Sequence, residues 1–155
     1  CKHLKINGNK IYLDFVGKDS IPFSKSFTCS DKNILSFINS QKKILNSSDQ
    51  VFDKITSTSL NAYLNAIVTG LTAKVFRTCH ATNLFSKLLE KSSNVEQFKE
   101  ANKKVAELCN HTNLQTSKAN YIDPRITYKF SKENNINISK LMNPVLVKKF
   151  EWAKN

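Results

Sequence analysis

Hydrophobic periodicity changes once along this chain, near Ser30, and that change restricts the fold to a small sheet followed by helices. Upstream, Ile11, Leu13 and Phe15 alternate with Tyr12, Asp14 and Val16, a period of two that suits strand pairing. Leu4 and Ile6 lead into the turn Asn7-Gly8-Asn9. Gly17-Lys18-Asp19-Ser20 is a second tight turn, and Ile21 to Phe27 reads as a return strand interrupted at its start by Pro22. Residues 3–27 are therefore expected as antiparallel hairpins with Lys18 at a tip. A turn lysine taken alone is ordinarily just solvated.

Downstream the apolar residues recur at helical spacing. Ser30 or Asp31 can cap a helix with Ile34, Leu35, Phe37, Ile38 and Ile44 on one side, and 46–50 is a polar loop. Ser59 is expected to cap Leu60 to Val68, with Gly70 as the stop. Thr72 opens a longer helix to about Glu90, whose buried face should include or adjoin Val75, Phe76, Cys79, Leu84, Phe85, Leu88 and Leu89. A further helix runs from about Asn94 to Cys109. After a loop come a helix to about Asn134, a turn through 135–139, and a last helix from Asn143-Pro144 to Trp152, anchored by Phe150 and Trp152. The fold class expected is α+β: mainly α with a small N-terminal antiparallel sheet.

At 155 residues and 40% apolar composition, the chain can bury one real core and is not a disordered tail. Its net charge of +12 points to a polyanion, nucleic acid before anionic membrane. No apolar run is long enough to span a bilayer, and Cys1 begins no secretory signal. The absence of an initial Met leads us to expect a longer parent. Four scattered cysteines without a CxxC pair suit a reduced intracellular protein better than a disulfide scaffold or zinc site. Positive charge is nearly all lysine, with Arg77 and Arg125 the only arginines. A guanidinium grips phosphate bidentately and an ammonium does not, so both merit scrutiny against the plainer reading of ordinary surface residues.

The stretch Thr116 to Phe130, TSKANYIDPRITYKF, holds the most chemistry. Asp123 and Pro124 have the form of an N-cap and first helical residue, so Tyr121 lies just before a helix start and its positive dipole end. On position alone such a tyrosine is usually a hydrophobic staple. Lys74 and Arg77 fall three apart on one helix and can face one partner. His111 follows the C-terminal end of another helix, where an imidazolium is favoured, though a capping histidine is the commoner occurrence. One Tyr, one Arg, one His and one turn Lys suffice for metal-free phosphodiester transfer. The phenol attacks phosphorus, Arg and His stabilise transition-state charge, and Lys protonates the departing oxygen.

The wording of five blocks carries a resemblance. DFVGKDSI (14–21), LNAYLNAIVTGLTAKVFRT (60–78), VAELCNH (105–111), SKANYIDPRITY (117–128) and KKFEWA (148–153) are similar, in order, to the catalytic region of eukaryotic type IB DNA topoisomerases. The SKxxY signature at 117–121 is the most specific, and together the blocks span nearly the whole chain. The resemblance implies the tyrosine recombinase and topoisomerase IB catalytic fold, with 1–115 as part of the catalytic core (hairpins 3–27, helices 31–111) and 116–155 as the tyrosine-bearing segment. It implies Tyr121 as nucleophile, Arg77 and His111 as stabilisers, and Lys18 as general acid reading the minor groove. Lys74, Asn120 and Lys118 are implied to contact DNA. Asp19 and Asn120 fall where camptothecin-class poisons meet such enzymes.

The reaction implied is nicking, rotation and religation of supercoiled double-stranded DNA in the nucleus, with no cofactor, ATP or metal and no membrane partner. Departures from the family also carry expectations. Its second catalytic arginine lies upstream, and nothing before Lys18 supplies one, so the chain alone is expected to be inactive. Only Thr112 to Thr116 stand where nuclear enzymes carry a long basic linker, so either the linker is lacking or a segment is missing between 1–115 and 116–155. The remainder of the polypeptide, or a second subunit as in kinetoplastid enzymes, is the partner expected. Cys79-His80 replaces the family's aromatic and Asn, which should alter packing only. Two other readings share the fold: a tyrosine recombinase, and a non-catalytic DNA-binding module.

Overall fold

Gly8 accepts φ +59 and so lets a two-residue turn close the first hairpin. The hairpin joins β1 (Leu4–Asn7) to β2 (Lys10–Val16), with Leu4 opposite Leu13 and Ile6 opposite Ile11. β3 (Pro22–Thr28) pairs antiparallel with the other side of β2, giving a three-stranded sheet of order β1-β2-β3. Pro22 stands at the first residue of an edge strand, where a missing amide is tolerated. Gly17 N–H donates to the Ile21 carbonyl at 2.8 Å and closes the base of the second turn. The computed structural model describes residues 2–17, 20–110 and 120–154, so Lys18 and Asp19 at that turn lie outside the described residues.

Two compact units make up the chain, Cys1–Tyr63 and Leu64–Asn155. In the first, α1 (Lys32–Ile44) is capped by Asp31, whose carboxylate accepts the Asn33 and Ile34 amides at 2.8 and 3.3 Å. Ile38 packs on Leu4 and Ile11, with Ile6, Leu13, Cys29 and Leu35 around them. The apolar side expected of this helix is wider than the face it buries: Ile34, Phe37 and Ile44 are exposed, because the helix meets the sheet along the line of Leu35 and Ile38. Phe37 instead stacks beside Phe52, ring centroids 6.1 Å apart.

The boundary between the units falls inside α2 (Ser57–Ile67). This helix starts ahead of the expected Ser59 cap. Thr56 and Ser59 form a reciprocal pair, with Ser59 N–H donating to Thr56 Oγ1 at 3.0 Å and Thr56 N–H donating to Ser59 Oγ at 2.9 Å. Gly70, at φ +83, turns the chain toward α3 (Ala73–Leu89) and donates its amide to Asn65 Oδ1 at 2.7 Å.

α4 (Val95–Leu108) begins at Asn94, whose side chain accepts the Gln97 amide at 2.9 Å. It packs on α3 and on α5 (Pro124–Glu133) through the Phe85, Phe98 and Phe130 rings. Phe98 lies edge-on to Phe85 at 5.2 Å and tilted to Phe130 at 5.4 Å, arrangements that aromatic quadrupoles favour. The buried face of α3 is narrower than expected. Ala81, Phe85 and Leu89 are buried and Leu84 and Leu88 partly so, whereas Val75, Phe76 and Cys79 near its start are exposed.

α5 ends in a Schellman motif: Ile136 N–H reaches the Ser131 carbonyl at 2.9 Å while Asn135 takes φ +51. A 3₁₀ turn (Ile138–Lys140) leads to α6 (Pro144–Lys149), capped by Asn143. The last helix does not run on to Trp152. It gives way to a second 3₁₀ turn (Glu151–Lys154), which aligns Phe150 with Ala153 on the buried side and turns Trp152 outward, 63% exposed. Phe150 is the anchor expected, joined by Met142 and Leu146; Trp152 is not.

Candidate active site

Tyr121 stands at the entry to α5, where the sequence makes a sharp helix start. Asp123 accepts the Arg125 amide at 3.0 Å, and Pro124 occupies the first helical turn, where no amide is required. The Arg125 guanidinium folds back onto the same carboxylate, with Nε 3.0 Å from both oxygens. That hydrogen bonding holds the Asp123 carboxyl below the usual carboxylate range, the backbone bond assisting and burial opposing. Arg125 is thus engaged with its own helix cap. Among the described residues Arg77 makes no ion pair, so of the two guanidiniums it is the one left to meet an external anion.

Arg77 and Lys74 lie about one turn apart on α3 and both reach the tyrosine. Lys74 Nζ is 5.6 Å and Arg77 Cζ 5.7 Å from the centroid of the Tyr121 ring, within cation–π range. Ala73, Lys74, Arg77 and Tyr121 line a shallow recess of about 280 Å³. Ile122, 5% exposed, is fixed in the core directly after the tyrosine. Thr82 on α3 accepts the Asp123 amide and donates to the Tyr121 carbonyl, each at 3.2 Å.

α4 approaches the same end of α3. Burial pushes the Cys109 thiol up, while the positive charge of Arg77 acts in the opposite sense, so the C-terminus of α4 lies within electrostatic reach of that arginine. Asn110 then takes φ +54, a left-handed exit that asparagine tolerates, with its amide on the Glu107 carbonyl at 3.1 Å.

A larger recess, about 850 Å³, lies between α5 and the C-terminal turns over Ile126, Tyr128 and Ile138. Arg125, Lys129, Lys132 and Lys154 also line it, with Asp123, so cations alone do not separate the two recesses. The smaller one is set apart by holding the Tyr121 ring beside Lys74 and Arg77.

Of the residues singled out in the sequence, the structure brings Tyr121, Arg77 and Lys74 together, with Asn120 exposed beside the tyrosine. Lys18, Asp19, His111 and Lys118 lie outside the described residues, as does the junction at 115–116. Thr82 was not anticipated. A threonine inside a helix carries no sequence signal of a bond to a loop some forty residues on.

The fold agrees with what comparison with known proteins finds. Residues 1–141 match the family model for the eukaryotic DNA topoisomerase I catalytic core, and the chain belongs to that family. "DNA topoisomerase 1" of Candidozyma auris is 39% identical over 113 residues, covering 66% of this chain and 15% of that protein. "DNA topoisomerase 1 alpha" of Arabidopsis thaliana is 27% identical over 240 residues, covering 94% and 26%. "DNA topoisomerase I, mitochondrial" of Rattus norvegicus is 35% identical over 109 residues, covering 65% and 18%. The chain spans about a quarter or less of the length of these relatives. The Arabidopsis alignment is longer than the 155-residue chain itself, so that relative carries residues inside the aligned span that have no counterpart here.

Proposed function

We propose that this chain is the tyrosine-bearing part of a type IB DNA topoisomerase acting on supercoiled double-stranded DNA. The observation that carries the reading is the convergence of Arg77 and Lys74 on the ring of Tyr121. The net charge of +12 supports a polyanionic substrate. In the proposed step the Tyr121 phenolic oxygen attacks a backbone phosphorus and gives its proton to solvent. The bond from phosphorus to the 5′ oxygen breaks, and Lys18 supplies the proton that makes the leaving group a 5′-hydroxyl. Arg77 and His111 stabilise the added negative charge on the non-bridging oxygens, each worth roughly 3–4 kcal/mol of barrier by analogy with other oxyanion donors. Bond energy kept in the 3′-phosphotyrosine drives religation after the free end has rotated, without ATP or metal.

Lys74 and Lys118 act on the DNA backbone in this reading, and Asn120 and Asp19 border the site where camptothecin-class poisons would stack. The second arginine stabiliser, and a partner surface for the duplex, come from the remainder of the polypeptide or a second subunit. This chain alone is therefore inactive in the reading. In this reading the residues that the Arabidopsis relative carries without a counterpart here fall between 1–115 and 116–155. A nuclear location follows from the family, and imaging of the tagged full-length protein checks it against the mitochondrial location named for the rat relative.

The test is plasmid relaxation in EDTA by the full-length enzyme, with the protein–DNA adduct trapped by denaturant. The wild type should relax plasmid and leave a 3′-phosphotyrosine adduct, and Tyr121→Phe should do neither. Relaxation by Tyr121→Phe at the wild-type rate would falsify the assignment.

A further inference from the structure

We infer that Thr82 is a positioning residue that sets where the Tyr121 nucleophile stands relative to Arg77. The inference rests on the reading of Tyr121 as nucleophile. The Thr82 hydroxyl bridges both sides of Ile122, with Oγ1 3.2 Å from the Tyr121 carbonyl oxygen and 3.2 Å from the Asp123 amide nitrogen. An amide can only donate and a carbonyl only accept, so the hydroxyl proton points at Tyr121 and the bridge has one sense. A threonine within a helix commonly turns its hydroxyl back onto the carbonyl four residues before. Here both its bonds go instead to a segment of distant sequence.

The geometric consequence concerns one helix. α3 carries Lys74, Arg77 and Thr82, so the cations and the clamp share a single rigid element. Ile122, buried in the core between the two bridged peptides, fixes the segment in depth, and the hydroxyl fixes its register along α3. Without the clamp the segment loses its hydrogen-bonded tie to α3 on both sides of Ile122. A shift of about 1 Å in a nucleophile can lower a rate on the order of 100-fold.

The experiment is single-turnover cleavage by the full-length enzyme of a duplex whose short 5′-hydroxyl strand is lost on nicking, with religation and DNA affinity measured alongside. Thr82→Val, nearly isosteric but without the hydroxyl, should slow cleavage about 10- to 100-fold and slow religation by a similar factor, with an unchanged Kd for DNA. Thr82→Ser keeps the hydroxyl and should restore most of the rate. Misfolding lowers the burst amplitude rather than the rate constant. Thr82→Ala, read the same way, serves if the valine variant gives no burst.

A wild-type rate constant in the hydroxyl-free variants, or a serine variant as slow as the valine one, overturns the inference. If Tyr121→Phe is inactive in that same assay, the nucleophile assignment survives such a result. If Tyr121→Phe still forms adduct, that assignment falls and the role of Thr82 falls with it.

Discussion

The sheet unit closes around Leu4, Ile11 and Ile38, whereas the helical unit closes around ten buried side chains, among them Phe85, Phe98 and Phe130. Both leave large apolar residues exposed, Phe15, Phe27, Phe37 and Phe52 in the sheet unit and Val75, Phe76, Val145 and Trp152 in the helical one, so what differs is the size of the core. The difference follows the chemistry proposed for each. Tyr121, Arg77 and Lys74 all belong to the unit with the larger core, and their mutual distances are set by packed helices. Electrostatic stabilisation of a transition state depends on such fixed geometry. Lys18, the proposed acid, falls in the sequence of the other unit, between Gly17 and Ile21, whose backbone groups bond each other.

The comparison breaks most directly at its cores. Phe98→Ala removes the ring that touches both Phe85 and Phe130 and should destabilise the helical unit by about 3–5 kcal/mol. Ile11→Ala should cost nearer 2 kcal/mol, since fewer buried neighbours surround that site and it can collapse more fully. Amide exchange resolved along the chain is the measurement. Phe98→Ala should raise exchange through α3, α4 and α5, and Ile11→Ala through the three strands and α1. Equal losses, or exchange rising everywhere in both variants, would show that the two units do not stand on separate cores.

How legible this was in the sequence depended on how local the governing interaction is. The first hairpin turn, between Asn7 and Lys10, and the caps at Asp31, Asn94, Asp123-Pro124 and Asn143-Pro144 rest on pairings spanning two or three residues, and their signals are visible directly. The start of α2 is ambiguous in sequence because Thr56 and Ser59 each bond the other's amide. Trp152 departs from the expected anchor because helical spacing ends at Phe150, where the chain tightens into a 3₁₀ turn. Exposure of Val75 and Phe76 could not be read from spacing, which gives a face but not what covers it. Within the site, Tyr121 and Arg77 were legible through the family wording. Thr82 was not, because its partners are brought to it only by the tertiary fold.

A gentler perturbation sharpens the same contrast. Asp31→Ala and Asn94→Ala each remove one helix cap, worth about 1 kcal/mol. On α4 the loss should stay in the first turn, because Phe98, Ala101, Asn102, Val105 and Ala106 are buried beyond it. On α1 only Ile38 is buried, so exchange should rise along the whole helix. Fraying confined to the first turn in both variants would mean that α1 is held by more than its small core.

The smallest effect expected is a dependence on acid pH confined to the helical unit. Arg125 holds the folded Asp123 carboxyl below its ordinary value, so the ionised form binds its surroundings more favourably in the folded state than in the unfolded one. The stabilisation is therefore complete above the unfolded carboxylate value of about 4 and is lost as pH falls through the lower folded value. Asp123→Asn can still cap α5 but cannot ionise, so the stability difference between wild type and this variant isolates the charge. That difference should be flat from about pH 5 upward and shrink below about pH 4. Arg125 is largely exposed, so added salt should weaken the effect, and Arg125→Gln should remove most of the slope. A difference that stayed constant through the acid range would mean the ion pair contributes nothing to the start of α5. The placing of Tyr121 would then draw on the Asp123 cap, the Thr82 bridge and buried Ile122 without help from the ion pair.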